Sequence, residues 1–314
     1  MPIALRSTAA ATPHHPITGR TRVFMVVGDP VVQVQAPQIF NRVFQRHGVD
    51  AVLVPVQVAA ADLPAFARAV LRAGEACGDS PDGRADARSA GPLGAPVGGL
   101  WLTIPHKTTL VPQLAGMDAA ARLAQSVNAV RRAADGGLHG GLFDGSGLVG
   151  ALHHFGIDTR GARVLLVGTG GAGAAIAAAL RAEPLAELAL HDLGCRAADL
   201  ARRLDDPRVR TPGTADPAGF DLVIHATPLG LRADDPLPFD VARLSPHARV
   251  VDILMKREPT PLLRACARRG ITAHPGFEML VHQVPDYLRF FGLDEVAAAV
   301  RDDLQDVREH LLRC

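Results

Sequence analysis

A lysine and an aspartate set the terms for the chemistry this chain can do. Lys107 closes the stretch "LTIPHK", just past Pro105 and the end of an apolar run, and Asp144 opens "DGSG". A lysine held at the carboxyl edge of a sheet can exchange a proton with a hydroxyl, and a carboxylate beside it orients and tunes the amine. Such a pair lowers the barrier to hydride transfer at an alcohol. Taken alone, Lys107 reads better as a solvated residue at a helix start. Asn128, in "SVNAV", is a further polar candidate.

Hydride chemistry needs a carrier, and the chain has a place for one. "VLLVGTGGAGAAIAAAL" carries Gly168-x-Gly170-x-x-Gly173 after a strand pattern and before an Ala-rich helix. A second strand pattern then ends in Asp192, which completes the context of a dinucleotide fingerprint. Gly168 permits the tight turn and Gly170 lets the backbone approach a pyrophosphate. The helix N-terminus supplies free N–H groups and the positive end of a dipole. A bare strand–helix turn is the alternative. Asp192 can accept from both ribose hydroxyls and repels a 2′-phosphate, so NAD is expected over NADP. Arg196 is the nearest cation and offers a phosphate partner, and Asp192 can instead cap a helix.

Alternating strand and helix patterns must position these groups. "RVFMVVG", "AVLVPVQV" and "GGLWLTI" read as strands, with helices "PQIFNRVFQRHG" and "DLPAFARAVLRAG" between them, which predicts an open, mostly parallel sheet. The segment from Asp118 to Gly156 reads as a helix, a turn around Asp135 and Gly137, and another helix. From Arg163 a second series begins with strands "RVLLVG", "LALHD", "DLVIHAT" and "RVVDILM" and helices between; after Pro275 the pattern is helical. The fold class expected is α/β, with two open, mainly parallel sheet domains, the second Rossmann-like, and the active-site cleft between them. The expected division is a flexible tail over 1–20, a substrate-binding domain over 21–143 plus 276–314, and a dinucleotide-binding domain over 144–275. Residues 75–97, rich in Gly, Pro, Ala and Asp without a period, are expected as a mobile loop insertion.

Composition narrows the classes of partner. The 314 residues carry a net charge of +1, with 48% hydrophobic and 21% charged residues. That balance gives no nucleic-acid or membrane-surface footprint, and no apolar run reaches transmembrane length. Cys77, Cys195, Cys266 and Cys314 lack metal-ligand or redox spacing, which fits a reducing cytoplasm. His153 and His154 are helix neighbours and point apart, so no metal is expected.

Taken together, "TIPHK", "SVNAV", "DGSG", "VGTGGAG", "DLVIHATPLG", "TPLL" and "GFEMLVHQ" resemble the shikimate dehydrogenase family, which includes quinate/shikimate dehydrogenases. The resemblance runs from about Val23 into the C-terminal helices. It implies an NAD(P)-dependent oxidoreductase of the shikimate pathway that interconverts a ring hydroxyl and a ketone. It makes Lys107 and Asp144 the catalytic pair and Thr103, Asn128 and Gln283 substrate-binding residues. Gly171 and Ala172 join the three motif glycines and Asp192 as cofactor-binding candidates, with Thr227, Pro228 and Gly276. A small cyclic alcohol or hydroxy acid is the expected partner of a monomer or homodimer.

The departures from the family lie on the recognition side. Its first loop usually reads G-x-P-x-x-H-S-x-S-P-x-x-H-N, with two serines on the substrate carboxylate; here Val34 and Ala36 stand in their places, with Gln33 and Phe40 at the histidines. Trp101 replaces an Asn, Leu142 and Phe143 replace Asn-Thr before the Asp, and Met255 replaces a Tyr. Losing two charge-assisted hydrogen bonds, each worth about 1.5–3 kcal/mol, weakens shikimate by roughly two to four orders of magnitude. Gln33, Gln35, Lys256 and Arg257 are the candidates to compensate, although the last two read better as a solvated loop pair. The expectation is an enzyme with its redox chemistry kept and its substrate altered. The alternatives are shikimate or quinate oxidation with the carboxylate gripped elsewhere, and an NAD-binding metabolite sensor without efficient turnover. A dehydrogenase of the folate one-carbon type shares the layout, but "MLVHQ" and "ATPLG" fit it less well.

Overall fold

A computed structural model describes residues 17–71, 97–232, 234–256 and 258–313. The β-branched apolar runs extend into strands, and the amphipathic runs between them coil into helices. In chain order these are β1 (Arg22–Gly28), α1 (Ala36–Arg46), β2 (Ala51–Gln57), α2 (Leu63–Val70), β3 (Val97–Leu102), β4 (Gly116–Met117), α3 (Ala119–Ala124), β5 (Ala129–Arg132) and β6 (Leu138–Gly141). Next come α4 (Asp144–His154), β7 (Arg163–Val167), α5 (Gly171–Leu180), β8 (Glu187–His191), α6 (Arg196–Leu204), β9 (Val209–Arg210), β10 (Leu222–His225), β11 (Arg249–Asp252) and α7 (Pro261–Arg268). The chain closes with β12 (Thr272–Pro275), α8 (Phe277–Phe290), α9 (Asp294–Asp302) and α10 (Leu304–Arg313).

The strands form two sheets of six. In the first, ordered β2-β1-β3-β5-β6-β4, strand β1 pairs parallel with β2 and β3, while β5 runs antiparallel to β3 and β6. The second, ordered β12-β11-β10-β7-β8-β9, is parallel throughout. Its order reverses between β7 and β10, as in doubly wound dinucleotide-binding sheets. Two open, mainly parallel sheets are what the alternating patterns predicted.

Some elements were not foreseen. The turn at Asp135 and Gly137 joins β5 and β6 into a hairpin rather than separating two helices, and β4, β9 and β12 are short strands on the same sheets. Residues 75–96 and 1–16 lie outside the described residues. Val97, assigned to the insertion, is the first residue of β3.

Helix α4 packs on both α5 and α8, and its glycines make that possible. A Cβ on Gly145 would lie 2.2 Å from the Ala175 carbonyl oxygen of α5, and one on Gly147 would lie 2.4 Å from the Met279 oxygen of α8. The side of α4 that meets α5 and the side that meets α8 are thus both backbone contacts. Helices α8, α9 and α10 return to the first sheet, where Val281, Val284, Leu288, Ala297 and Leu311 share a core with Phe24, Phe40 and Phe44.

Candidate active site

Lys107 stands on a short 3-10 turn, His106–Thr108, at the carboxyl end of β3. Two bonds clamp the turn. Buried His106 sets its Nε2 2.8 Å from the Val58 carbonyl oxygen beyond β2, and the Val127 N–H donates to the Lys107 carbonyl at 2.7 Å. From this base the Lys107 ammonium donates to Oδ2 of Asp144, the first residue of α4. Both side chains are sheltered, at 17% and 5% exposure. The start of α4 also places its dipole's positive end at the carboxylate.

Asn128 joins this pair to the rest of the site. Its Oδ1 accepts the Phe143 N–H at 3.1 Å, which fixes the residue before Asp144, and its Nδ2 lies 3.4 Å from Oε1 of Gln283 on α8. Asp118 adds a second tie: one oxygen caps α3 through the Ala121 N–H and the other accepts the Leu142 N–H at 2.9 Å. Lys107, Asp144, Asn128 and Gln283 therefore come together from four elements, three of them buried outright. Thr103 is half-buried at the end of β3, with its methyl against Gly28 at the end of β1.

The glycine-rich turn has the shape a dinucleotide requires. Gly168 has φ +100°, and a Cβ there would stand 2.7 Å from the Ala226 carbonyl. A Cβ on Gly173 would fall 2.0 Å from the Gly168 oxygen, while beside Gly170 nothing lies within 4 Å. The turn thus closes on itself and leaves open space where a pyrophosphate approaches the backbone. Gly171 and Ala172 form the first turn of α5, and Gly171 sits against Lys107 and buried Ser126, whose Oγ is 2.9 Å from its would-be Cβ. Thr227 and Pro228 follow β10, with the Thr227 methyl against Gly168. Gly276 precedes α8 and presses on the Ile253 carbonyl.

Asp192 bonds into its own turn and keeps acceptor capacity on Oδ1. Its Oδ2 takes the Thr169 N–H and hydroxyl at 2.7 and 2.9 Å, and its Oδ1 takes the Leu193 N–H at 2.6 Å. The carboxylate is turned into the glycine-rich turn. Arg196, exposed on the first turn of α6, remains beside it as a cation.

The recognition side is apolar and tightly packed. Trp101 is 3% exposed and stacks with Tyr287 and Phe291, with centroids at 5.4 and 4.2 Å, while Phe24 and Phe40 meet it edge to face. Phe143 stands edge-on to Tyr287 at 5.0 Å. Ala36 and Val34 pack on the same cluster, and Met255 is half-buried after β11. Sequence reasoning missed Tyr287, whose hydroxyl donates to the Asn128 carbonyl at 3.4 Å. Burial, reinforced by the nearby Asp144 charge, holds its phenol well above the usual range. A signal was present: it is the chain's one tyrosine, one helical turn past Gln283.

Two of the proposed substitutes for the missing serines bond neighbouring carbonyls, while Gln35, half-buried before α1, makes no side-chain capping bond to that helix. The Gln33 amide donates to the Pro30 carbonyl at 2.8 Å. Lys256 is half-buried and donates to the Leu231 carbonyl at 2.9 Å, so it is held by a neighbouring loop rather than solvated; Arg257 lies outside the described residues. Elsewhere, His154, Glu278 and His282 present ligand atoms within 4.8 Å of one another. Arg308 holds Glu278 with two bonds at 2.6 and 3.0 Å and so places a cation in that cluster.

No family model matches the chain. Among curated proteins it is 34% identical to a shikimate dehydrogenase (NADP(+)) of Rubrobacter xylanophilus, over 91% of this chain and 96% of that protein. It is 31% identical to one of Acidiphilium cryptum, over 89% and 94%. The crystal structure of shikimate dehydrogenase from Aquifex aeolicus superposes with a TM-score of 0.73 at 22% identity, covering 92% of this chain and all of that one. The names of the curated relatives point to NADP and overturn the expectation of NAD. The physical feature that accommodates a 2′-phosphate is Arg196, an exposed cation on the first turn of α6, four residues after Asp192.

Proposed function

The chain belongs to the shikimate dehydrogenase family of NAD(P)-dependent oxidoreductases, and on that premise we propose that it interconverts a ring hydroxyl and a ketone with NADP on a substrate other than shikimate. The substrate is a cyclic or otherwise compact alcohol, less polar or differently charged than shikimate. One observation carries this reading. The hydrogen-bonded set of Lys107, Asp144, Asn128 and Gln283 is complete, while the adjoining positions expected to grip a carboxylate pack into an aromatic cluster.

Residues 21–143 with 276–314 hold the substrate in this reading, and 144–275 hold the dinucleotide. The 168–173 turn and the start of α5 receive the pyrophosphate, and exposed Arg196 faces the 2′-phosphate. NADP, when bound, supplies the hydride acceptor. Lys107, in its neutral amine form, takes the hydroxyl proton as the carbonyl forms, and the resulting ammonium returns it in the reverse direction. Asp144 holds the amine in place, and Asn128 and Gln283 bond the neighbouring ring hydroxyls. The reading also places the protein in the cytoplasm.

The test is turnover by the purified protein with NADP+ across shikimate, quinate and uncharged ring alcohols. An uncharged or differently charged alcohol should exceed shikimate in kcat/KM. Shikimate as the best substrate of the panel would overturn the altered preference, and no turnover of any member would overturn the enzyme.

A further inference from the structure

Behind the glycine-rich turn lies a buried relay that the proton chemistry does not use. His225 ends β10 and Asp252 ends β11, paired in register, and both are 0% exposed. His225 Nδ1 faces Asp252 Oδ1 at 3.0 Å, and its Nε2 faces Thr227 Oγ1 at 2.6 Å. Asp252 also accepts the Leu254 N–H at 3.2 Å and the Thr260 hydroxyl at 2.5 Å. The Thr260 oxygen in turn accepts the Leu263 N–H at 3.2 Å, so its one proton is directed at Asp252.

An inventory of protons sets the direction of the chain. With both Asp252 oxygens accepting, the His225 nitrogen that faces it carries a proton. In a neutral imidazole the other nitrogen is then an acceptor, and Thr227 spends its single proton on it. The Leu229 N–H occupies one lone pair of Thr227 Oγ1, at 3.2 Å. What Thr227 keeps is one free lone pair and no free proton.

Thr227 sits where that polarity matters. Strands β7 and β10 are neighbours at the reversal of sheet order, the crevice in which open α/β sheets bind ligands. The Thr227 methyl lies 2.8 Å from the would-be Cβ of Gly168, and the first residue of α5 abuts Lys107. A dinucleotide with its pyrophosphate on this turn and its reacting ring at Lys107 passes Thr227. We propose that the His225–Asp252 relay fixes Thr227 as a hydrogen-bond acceptor for a donor on the nicotinamide half of NADP, either the ring's primary amide or a hydroxyl of its ribose. His225 is a positioning residue, acting through Thr227. The inference rests on the dinucleotide reading above.

Binding distinguishes the sources. Dissociation constants are measured by calorimetry for NADP+ and for its 3-acetylpyridine analogue, in which a methyl replaces the amide nitrogen. The proteins are wild type, Thr227→Val, His225→Asn and the double variant, each checked by thermal unfolding. If the amide is the donor, wild type prefers NADP+ about tenfold. Thr227→Val then weakens NADP+ by that factor and erases the preference, and adding His225→Asn costs little more. If a ribose hydroxyl is the donor, both dinucleotides bind wild type alike and both lose the same factor in each variant, again without additivity. NADP+ binding that Thr227→Val leaves within twofold overturns the inference, as do additive effects of the two substitutions. No NADP+ binding by wild type overturns the dinucleotide reading itself. Thr227 is half-buried, so its valine variant stands as a test even if His225→Asn fails to fold.

Discussion

Lys107 bonds Asp144 and Asn128 bonds Gln283, each with a fixed donor and acceptor, and the Phe143 N–H on Asn128 ties the two pairs together. Phe40, Trp101, Phe143 and Tyr287, next to them in space, meet through ring faces and edges at 5.0–5.6 Å. The first region tolerates no change of group, because direction and protonation carry its work. The second is specified by volume and stacking, and it can be rebuilt without moving a catalytic atom. In the proposed function, the reaction and the choice of substrate are thus held by different forces.

The sharpest way to break that contrast is at Lys107. Lys107→Ala is expected to lower kcat about 10²–10⁴-fold with the preferred substrate while thermal stability changes little. Lys107→Arg should fail as badly, because a guanidinium cannot give up a proton in water. Turnover within a few-fold of wild type in either variant removes the proton-handling role. The chain itself hints at this: Lys107 and Lys256 are its only lysines among 33 basic residues.

On the apolar side the large effect should fall on stability. Trp101→Ala removes a ring that is 3% exposed and stacked with two others, and should cost about 3–5 kcal/mol in denaturant unfolding. A loss under 1 kcal/mol would mean that the aromatic cluster is not a packed unit.

A smaller effect is expected from restoring hydroxyls. Val34→Ser with Ala36→Ser should raise kcat/KM on shikimate about tenfold or more, as one charge-assisted bond is worth roughly 1.5–3 kcal/mol. Lack of any gain would show that the rings beyond, and not this loop, exclude the acid.

The least perturbing probe is the single tyrosine. Its 295 nm absorbance should show no phenolate while the protein stays folded, because burial and the Asp144 charge raise its ionisation. The unfolded chain ionises it near pH ~10, so stability should be level below that value and fall as pH rises above it. A phenolate signal near pH ~10 from folded protein would place Tyr287 in water and break the cluster at its centre.

Much of the scaffold was legible because period and punctuation agreed. Strands β1, β2, β3, β7, β8, β10 and β11 are apolar runs, and the 168–173 motif lies between a strand and a helix as its spacing required. Strands β5 and β6 were not, since "AVRR" and "LHGG" alternate poorly and half of the second is glycine. The residues that meet around Lys107 were named from the order and spacing of the motifs that carry the family resemblance. The engagement of Asp192 was not, because Thr169 stands 23 positions earlier and only the fold brings its two donors to that carboxylate. Trp101 was visible as a substitution. Its stacking partners lie on α8, whose rotation against β3 no local pattern encodes.

The glycines of α4 have a consequence for how such a chain can change over generations. An added methyl at Gly145 or Gly147 meets main-chain oxygen at 2.2 or 2.4 Å, with nothing flexible to yield. That helix begins with Asp144, so its seat is closed to side chains at Gly145 and Gly147, while the ring cluster can exchange one packed ring for another of like volume. Drift is therefore channelled toward new substrates and away from new chemistry, and divergence within this fold should accumulate as specificity around an unmoving axis.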